Sequence, residues 1–173
     1  VAGAISDDLN IGDVVIAQRL FQHDMDARPL MRRFEIPLTG KTSYEISEQN
    51  SGLMVEAVHN FLKNNIQLRN FALVQHAPTP KLMLGDIASG DLFISGTEMK
   101  KALIRNLPSV VCVEMEGAAV AQVCSDFDVP LTVVRIISDT ADEQAHTSAI
   151  GFVNQYAGEY SLAILREYIQ LLK

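Results

Sequence analysis

Tryptophan is absent from this chain of 173 residues, and cysteine occurs only twice. Cys112 and Cys124 form no C-x-x-C pair, so they provide neither a disulfide framework nor a zinc site. They read as two reduced core thiols of a cytoplasmic protein. Basic charge is also scarce: 14 Lys and Arg stand against 21 Asp and Glu, for a net charge of −7. A phosphate polymer needs a basic face, which this balance argues against. A small uncharged or cationic ligand remains compatible with it. No apolar run approaches the roughly 20 residues of a membrane span, and no signal peptide is visible. The glycines form no G-x-G-x-x-G and no P-loop. His23, Asp24 and Asp26 in Q-H-D-M-D could ligate a metal, but no second cluster completes a site. Neither a metal nor a cofactor is expected.

What is present is a globular composition, 48% hydrophobic and 20% charged, of a size that fills one domain. The chain opens on V-A-G-A-I, which reads as the end of a buried strand and predicts further strands and a helix upstream of Val1. Strands are predicted at 12–20, 71–76, 82–89, 110–113 and 131–139, each β-branched or apolar. The 82–95 segment turns at Ser89-Gly90-Asp91. Residues 31–46, with Pro37 and Gly40, read as a long loop. Helices are predicted at 51–63, with Leu53, Val55, Ala57, Val58, Phe61 and Leu62 on its apolar face, and at 97–107, with Thr97 as N-cap. A helix of small residues follows at 116–127, and a long amphipathic helix at 147–172. Strands alternating with helices imply an α/β fold of three layers, α/β/α, around a central mixed sheet.

The chemistry gathers in V-E-M-E-G-A-A-V-A-Q-V-C (113–124) and I-I-S-D-T-A-D (136–142). Glu116 follows one strand and opens a helix. Asp139 follows the next strand. A right-handed βαβ crossover is expected to make those strands parallel neighbours about 4.8 Å apart, so that both acids emerge at one carboxyl edge, where α/β sheets bind ligands. Small residues after Glu116 let the helix lie close to the sheet. Each acid alone also has an ordinary explanation: Glu116 favours the helix dipole, and Asp139 suits a turn. Glu114 reads as structural, its side chain turned out of the cleft. His59, His76 and His146 have no recognisable nucleophile partner.

The segments V-E-M-E-G-A-A-V-A and V-V-R-I-I-S-D-T-A-D, with A-S-G-D-L-F-I-S, I-G-D-V-V-I-A and H-D-M-D in the same order, resemble the nucleoside phosphorylase/nucleosidase superfamily. The similarity is strongest to the 5′-methylthioadenosine/S-adenosylhomocysteine nucleosidases and runs from Val1 to about residue 160. It implies hydrolysis of an N-glycosidic bond with release of adenine, a step of methionine salvage. By this resemblance Asp139 is the general acid at purine N7, and Ser138 orients it. Glu116 accepts hydrogen bonds from the ribose hydroxyls, and Met115 packs on the ribose. Phe93 stacks on the base, and the Ile94 backbone reads its edge. The family is commonly homodimeric, and the loop holding Leu30 and Pro37 would complete the neighbour's pocket. Three departures accompany the match. The family's water-activating glutamate would fall upstream of Val1. A ribose-side serine is replaced by Val1. An aromatic near Ala149 is missing, although Phe152 is close by.

Two other readings share these residues. A purine or uridine phosphorylase would need an anion site of Arg and backbone N–H groups; no dedicated Arg cluster is seen in the expected pocket, Arg135 lies within a strand, and part of such a site could lie upstream. A non-catalytic nucleoside-binding or storage-type relative would keep the fold without the reaction.

Overall fold

The computed structural model describes residues 1–64 and 78–173. The strand predicted at 71–76, and His76 with it, lie outside the described residues. Among the described residues there are six strands: β1 (Ala2–Ala4), β2 (Val14–Gln22), β3 (Tyr44–Glu45), β4 (Leu82–Ser89), β5 (Val110–Glu114) and β6 (Val134–Asp139). The helices are α1 (Glu48–Asn64), α2 (Thr97–Asn106), α3 (Gly117–Asp126), α4 (Ala145–Phe152) and α5 (Gly158–Leu171). A π-helical segment, Val153–Ala157, joins α4 to α5 where one long helix was expected.

The sheet is mixed, as expected, with order β3-β2-β4-β5-β1-β6. β6 then returns to pair with β2, through Val14↔Ile136, Val15↔Arg135 and Ile16↔Val134. The sheet therefore closes on itself, leaving β3 outside on the far half of β2. Successive side chains of β2 enter different clusters. Val15, Ala17 and Leu20 join Ala2, Ala4, Ile87, Cys112 and Ile137, with Ala118 and Ala121 of α3 against them. Val14 and Ile16 pack with Val58 and Phe61 of α1 and Tyr160 and Ile164 of α5. Burial of both strand faces explains the near-continuous apolar run in the sequence.

The strand adjacency differs from expectation. β5 and β6 are not parallel neighbours. β1 lies between them, antiparallel to β5 and parallel to β6, so β5 and β6 run in opposite directions. Three small residues, Ala2-Gly3-Ala4, make that insertion possible.

Local differences have local causes. Thr97 is the first residue of α2 rather than its cap; Gly96 precedes the helix at φ 95°. The Thr97 N–H and hydroxyl both donate to Glu143, at 3.1 and 2.8 Å, so a distant carboxylate does the capping. In α1, Ala57, Val58 and Phe61 are buried, but Leu53 faces solvent. The 31–46 loop is pinned by buried Ile36 and Tyr44. Cys112 is buried as expected, whereas Cys124 is half-buried; both are free.

Phe61 and Tyr160 meet edge to face, with ring centroids 5.4 Å apart, where α1 crosses α5. Phe61→Ala is expected to destabilise the fold by about 3–5 kcal/mol, read from urea denaturation.

Candidate active site

The register across β1 determines what meets what. Gly3 lies opposite Val113 on one side and opposite Asp139 on the other. A register shift between Ala2 and Gly3 skips Ser138 and brings Asp139 level with Gly3. The Asp139 carboxyl leans over Gly3: a Cβ there would sit 2.7 Å from Asp139 Oδ1. Only glycine leaves room for this approach. Thus the two acids converge, but across an intervening strand rather than between parallel neighbours.

The resulting cleft, about 280 Å3, is lined by Val1, Ala2, Gly3, Leu92, Phe93, Ile94, Val113, Glu114, Met115, Glu116, Ser138, Asp139 and Ala149. Six of the sequence-derived site residues therefore share one cavity: Phe93, Ile94, Met115, Glu116, Ser138 and Asp139. Leu30 and Pro37 do not line it; both are exposed in the β2–β3 loop. Phe152 does not replace the missing aromatic, because it is buried against Tyr160 in the α1–α5 cluster. A larger cleft of about 770 Å3, lined by Lys41, Tyr44 and Cys124 among others, contains none of these residues. Convergent acids beside an exposed aromatic, rather than volume, single out the smaller cavity.

Asp139 is 2% exposed. Burial raises its pKa above the usual carboxylate range. Two hydrogen bonds oppose that shift, from the Ala141 N–H at 3.0 Å and the Ser138 hydroxyl at 2.9 Å. Burial dominates because both hydrogen-bond donors are neutral, and the neighbouring Asp142 carboxylate disfavours the anion further. Ser138 thus orients one carboxyl oxygen.

Glu114 shows the opposite balance. Contrary to expectation its side chain turns inward and is buried. Burial alone would raise its pKa, but Ser89, Arg135 and the Gly117 N–H together hold it below the usual range. Ser89 Oγ donates to one oxygen in a short hydrogen bond, and Arg135 to the other. Gly117 N donates at 2.8 Å and Glu116 N at 3.2 Å, so this carboxylate also caps α3. Ser89 Oγ in turn accepts from Ala118 N at 2.8 Å.

Glu116, by contrast, projects its carboxylate into the cleft with the side chain 69% exposed. Arg135 lies 3.5 Å from it while bonded to Glu114. Phe93 and Met115 are each 44% exposed, and Ile94 is buried. The Phe93 ring meets His146 edge to face at 6.4 Å. Sequence reasoning missed Glu114, Arg135 and Gly3 as site-forming residues. The signal for Gly3 was a glycine between alanines in a buried strand.

The Q-H-D-M-D segment has no metal-binding geometry; among the described residues no group of three potential ligands occurs. Asp26 instead pairs with Arg28 and Arg33, and the Arg28 hydrogen bonds lower its pKa to about 2.

An α/β chain with a mixed, re-closing sheet and a cleft holding two acids of different environment defines a class of small-ligand site at strand ends. Residues 1–170 match the family model described as the phosphorylase superfamily, and the chain belongs to that family. It is 32% identical over 171 residues to the 5′-methylthioadenosine/S-adenosylhomocysteine nucleosidase of Glaesserella parasuis, covering 96% of this chain and 66% of the relative. For the nucleosidase of the same name from Staphylococcus aureus the identity is 33% over 157 residues, covering 90% and 61%. The chain thus spans just under two thirds of the length of these curated relatives. Among solved structures, futalosine hydrolase of Helicobacter pylori superimposes with a TM-score of 0.78 at 35% identity, covering 98% of this chain and 65% of that one. A Helicobacter pylori nucleosidase mutant holding 5′-methylthioadenosine in its active site gives 0.76 at 33% identity, with coverage of 98% and 65%.

Two outcomes are expected. Glu114→Ala leaves Arg135 half-buried without its carboxylate and removes the cap of α3, and should cost about 3–5 kcal/mol in urea denaturation. Asp139→Asn should instead stabilise the protein at neutral pH. The raised native pKa contributes stability that is fully present below the unfolded pKa and is lost as pH rises through the native one. The variant lacks that loss, so its advantage in thermal denaturation should shrink as pH is lowered through the Asp139 titration.

Proposed function

We propose that this chain forms the base- and ribose-binding part of a nucleosidase that hydrolyses the N-glycosidic bond of a purine nucleoside. 5′-Methylthioadenosine and S-adenosylhomocysteine are the leading substrates, with futalosine as a related one. The observation that carries the reading is Asp139: a buried carboxyl with a raised pKa, in the same cleft as the Glu116 carboxylate and the exposed Phe93 ring.

The chemistry follows from those environments. Loss of a purine anion from C1′ is difficult, and protonation at N7 converts the leaving group to a neutral base. A carboxyl that burial keeps protonated is suited to that donation. Ser138 holds it in one orientation. Ribose hydroxyls donate to the exposed Glu116 carboxylate, whose negative charge also lies near the cation that develops at C1′. Phe93 provides a flat apolar surface for the base, the Ile94 backbone reads its edge, and Met115 covers the sugar. Water then adds to C1′ and gives up a proton to solvent, and the Asp139 carboxylate takes up a proton again to complete the turnover.

Phosphorolysis is the second reading, and Arg135 bears on it. That guanidinium is bonded to Glu114 and lies beside Glu116, so it is neutralised by two carboxylates rather than available to an anion. Water therefore fits the cleft better than phosphate. We further propose a cytoplasmic homodimer in which exposed Leu30 and Pro37 reach a neighbour's cleft. The exposed Leu38, Val123 and Phe127 provide apolar surface for such pairing.

Adenine release from methylthioadenosine, with and without phosphate, tests the reading on this chain beside a version carrying additional upstream sequence. Phosphate-independent release is expected; strict phosphate dependence would establish the phosphorylase instead, and nucleoside binding without release the non-catalytic relative. Asp139→Asn should lower kcat by about 10²- to 10⁴-fold while nucleoside binding persists. Glu116→Gln should lower kcat/KM by roughly 10- to 100-fold through both parameters. Parental turnover by Asp139→Asn would remove the acid assignment.

A further inference from the structure

The H-D pair of Q-H-D-M-D is the sequence feature that neither metal binding nor the proposed reaction uses. β2 and β4 run parallel and end together, with Gln22 opposite Ser89. Beyond that point the two chains stay joined. His23 N donates to Ser89 O at 2.9 Å, and the Asp24 carboxylate accepts from Asp91 N at 2.8 Å. Between those bonds, Gly90 lies flat against both side chains. A Cβ on Gly90 would sit 2.5 Å from His23 Nε2 and 2.9 Å from Asp24 Cγ. On its other side Gly90 N donates to Glu114 O at 3.3 Å. The turn is thus gripped at each of its three residues.

His23 is the unusual member. Its ring is buried, and Nε2 has no hydrogen-bond partner among the described residues. Burial lowers its pKa despite the nearby carboxylates of Asp24, Asp91 and Glu114, so the ring is a neutral wedge rather than a charge. Its place is filled by shape: the imidazole face supports a turn that has no side chain at Gly90.

The segment that leaves this turn is Leu92-Phe93-Ile94, which lines the cleft. Ile94 is anchored in the core with Ala88, Val113 and Ala141. Phe93 is therefore suspended between two fixed points, Asp91 and Ile94, with its own ring half-exposed. We propose that His23 and Asp24 are positioning residues for the base platform, latching the Ser89–Asp91 turn so that Phe93 is presented at a fixed height in the cleft. Asp26 has no part in this, since it faces Arg28 and Arg33. The identity of the ligand rests on the nucleosidase reading; the latch itself rests on the geometry of the turn.

The test compares Asp24→Ala, Asp24→Asn and Gly90→Ala with the parent protein, by kinetics on methylthioadenosine and by amide hydrogen exchange at Asp91. Loss of the latch should raise KM about tenfold in Asp24→Ala with kcat within about twofold, since a misplaced platform weakens base binding more than proton transfer. Exchange at Asp91 should quicken about tenfold in the same variant. Asp24→Asn keeps an acceptor oxygen and should restore both readouts. Gly90→Ala should reproduce the KM effect by pushing the turn off His23. Parental KM and parental Asp91 exchange in Asp24→Ala would overturn the latch, as would equal losses in kcat and KM that Asn fails to rescue. If neither parent nor variants release purine, with or without the additional upstream sequence, the nucleosidase reading falls, and the exchange at Asp91 still decides whether the latch exists.

Discussion

One buried carboxylate connects most of what matters in this molecule. Glu114 ends β5, and its oxygens receive Ser89 from β4, Arg135 from β6 and the first amides of α3. Four elements, of which β4 and β6 are remote in sequence from β5, are tied at a single charge. A buried carboxylate survives only when its lost hydration is replaced by donors, and here a guanidinium, a hydroxyl and backbone amides replace it. The consequence extends to Glu116, whose backbone is fixed by Glu114 while its own side chain stays free to face the cleft. The two glutamates flanking Met115 thus have divided roles: one builds the site and the other occupies it.

The same cleft contains a second buried acid with the opposite balance. Asp139 has a hydroxyl and one amide for company and, among the described residues, no side-chain cation bonded to it, so burial prevails and the neutral form is favoured. Glu114 has Arg135, and the anion prevails. Two carboxyl groups pushed apart in pKa by their surroundings are the arrangement that separates an acid from a fixed charge in one site. Gly3 enables it, since any side chain there would displace Asp139 from its place over β1. Such an acid is held against stability, which is a common property of reacting groups.

Much of this was legible before the fold was known. The β-branched runs gave β2, β4, β5 and β6, because burial on both faces leaves a local apolar signature. The small-residue run gave α3. The V-E-M-E-G and I-S-D segments marked Glu116, Ser138 and Asp139, and L-F-I marked Phe93 and Ile94. Less visible were features that depend on pairing between distant segments. Nothing local in A-G-A says that this strand inserts between β5 and β6. Arg135 looked like a strand residue because its partner is 21 positions away, and Glu114 looked peripheral for the same reason. Thr97 looked like a cap because the capping carboxylate, Glu143, is remote.

The sequence by itself determined the α/β class, the family resemblance and the types of residue that meet in the cleft, because periodicity and motif spacing are short-range properties of the chain. Tertiary structure alone decided how they meet. It set the register that brings Asp139 over Gly3, the ion pair that fixes Glu114, and the contact of His23 with a turn more than sixty residues away. Those outcomes depend on strand order and on the balance of burial against hydrogen bonding, which exist only once distant segments are packed together.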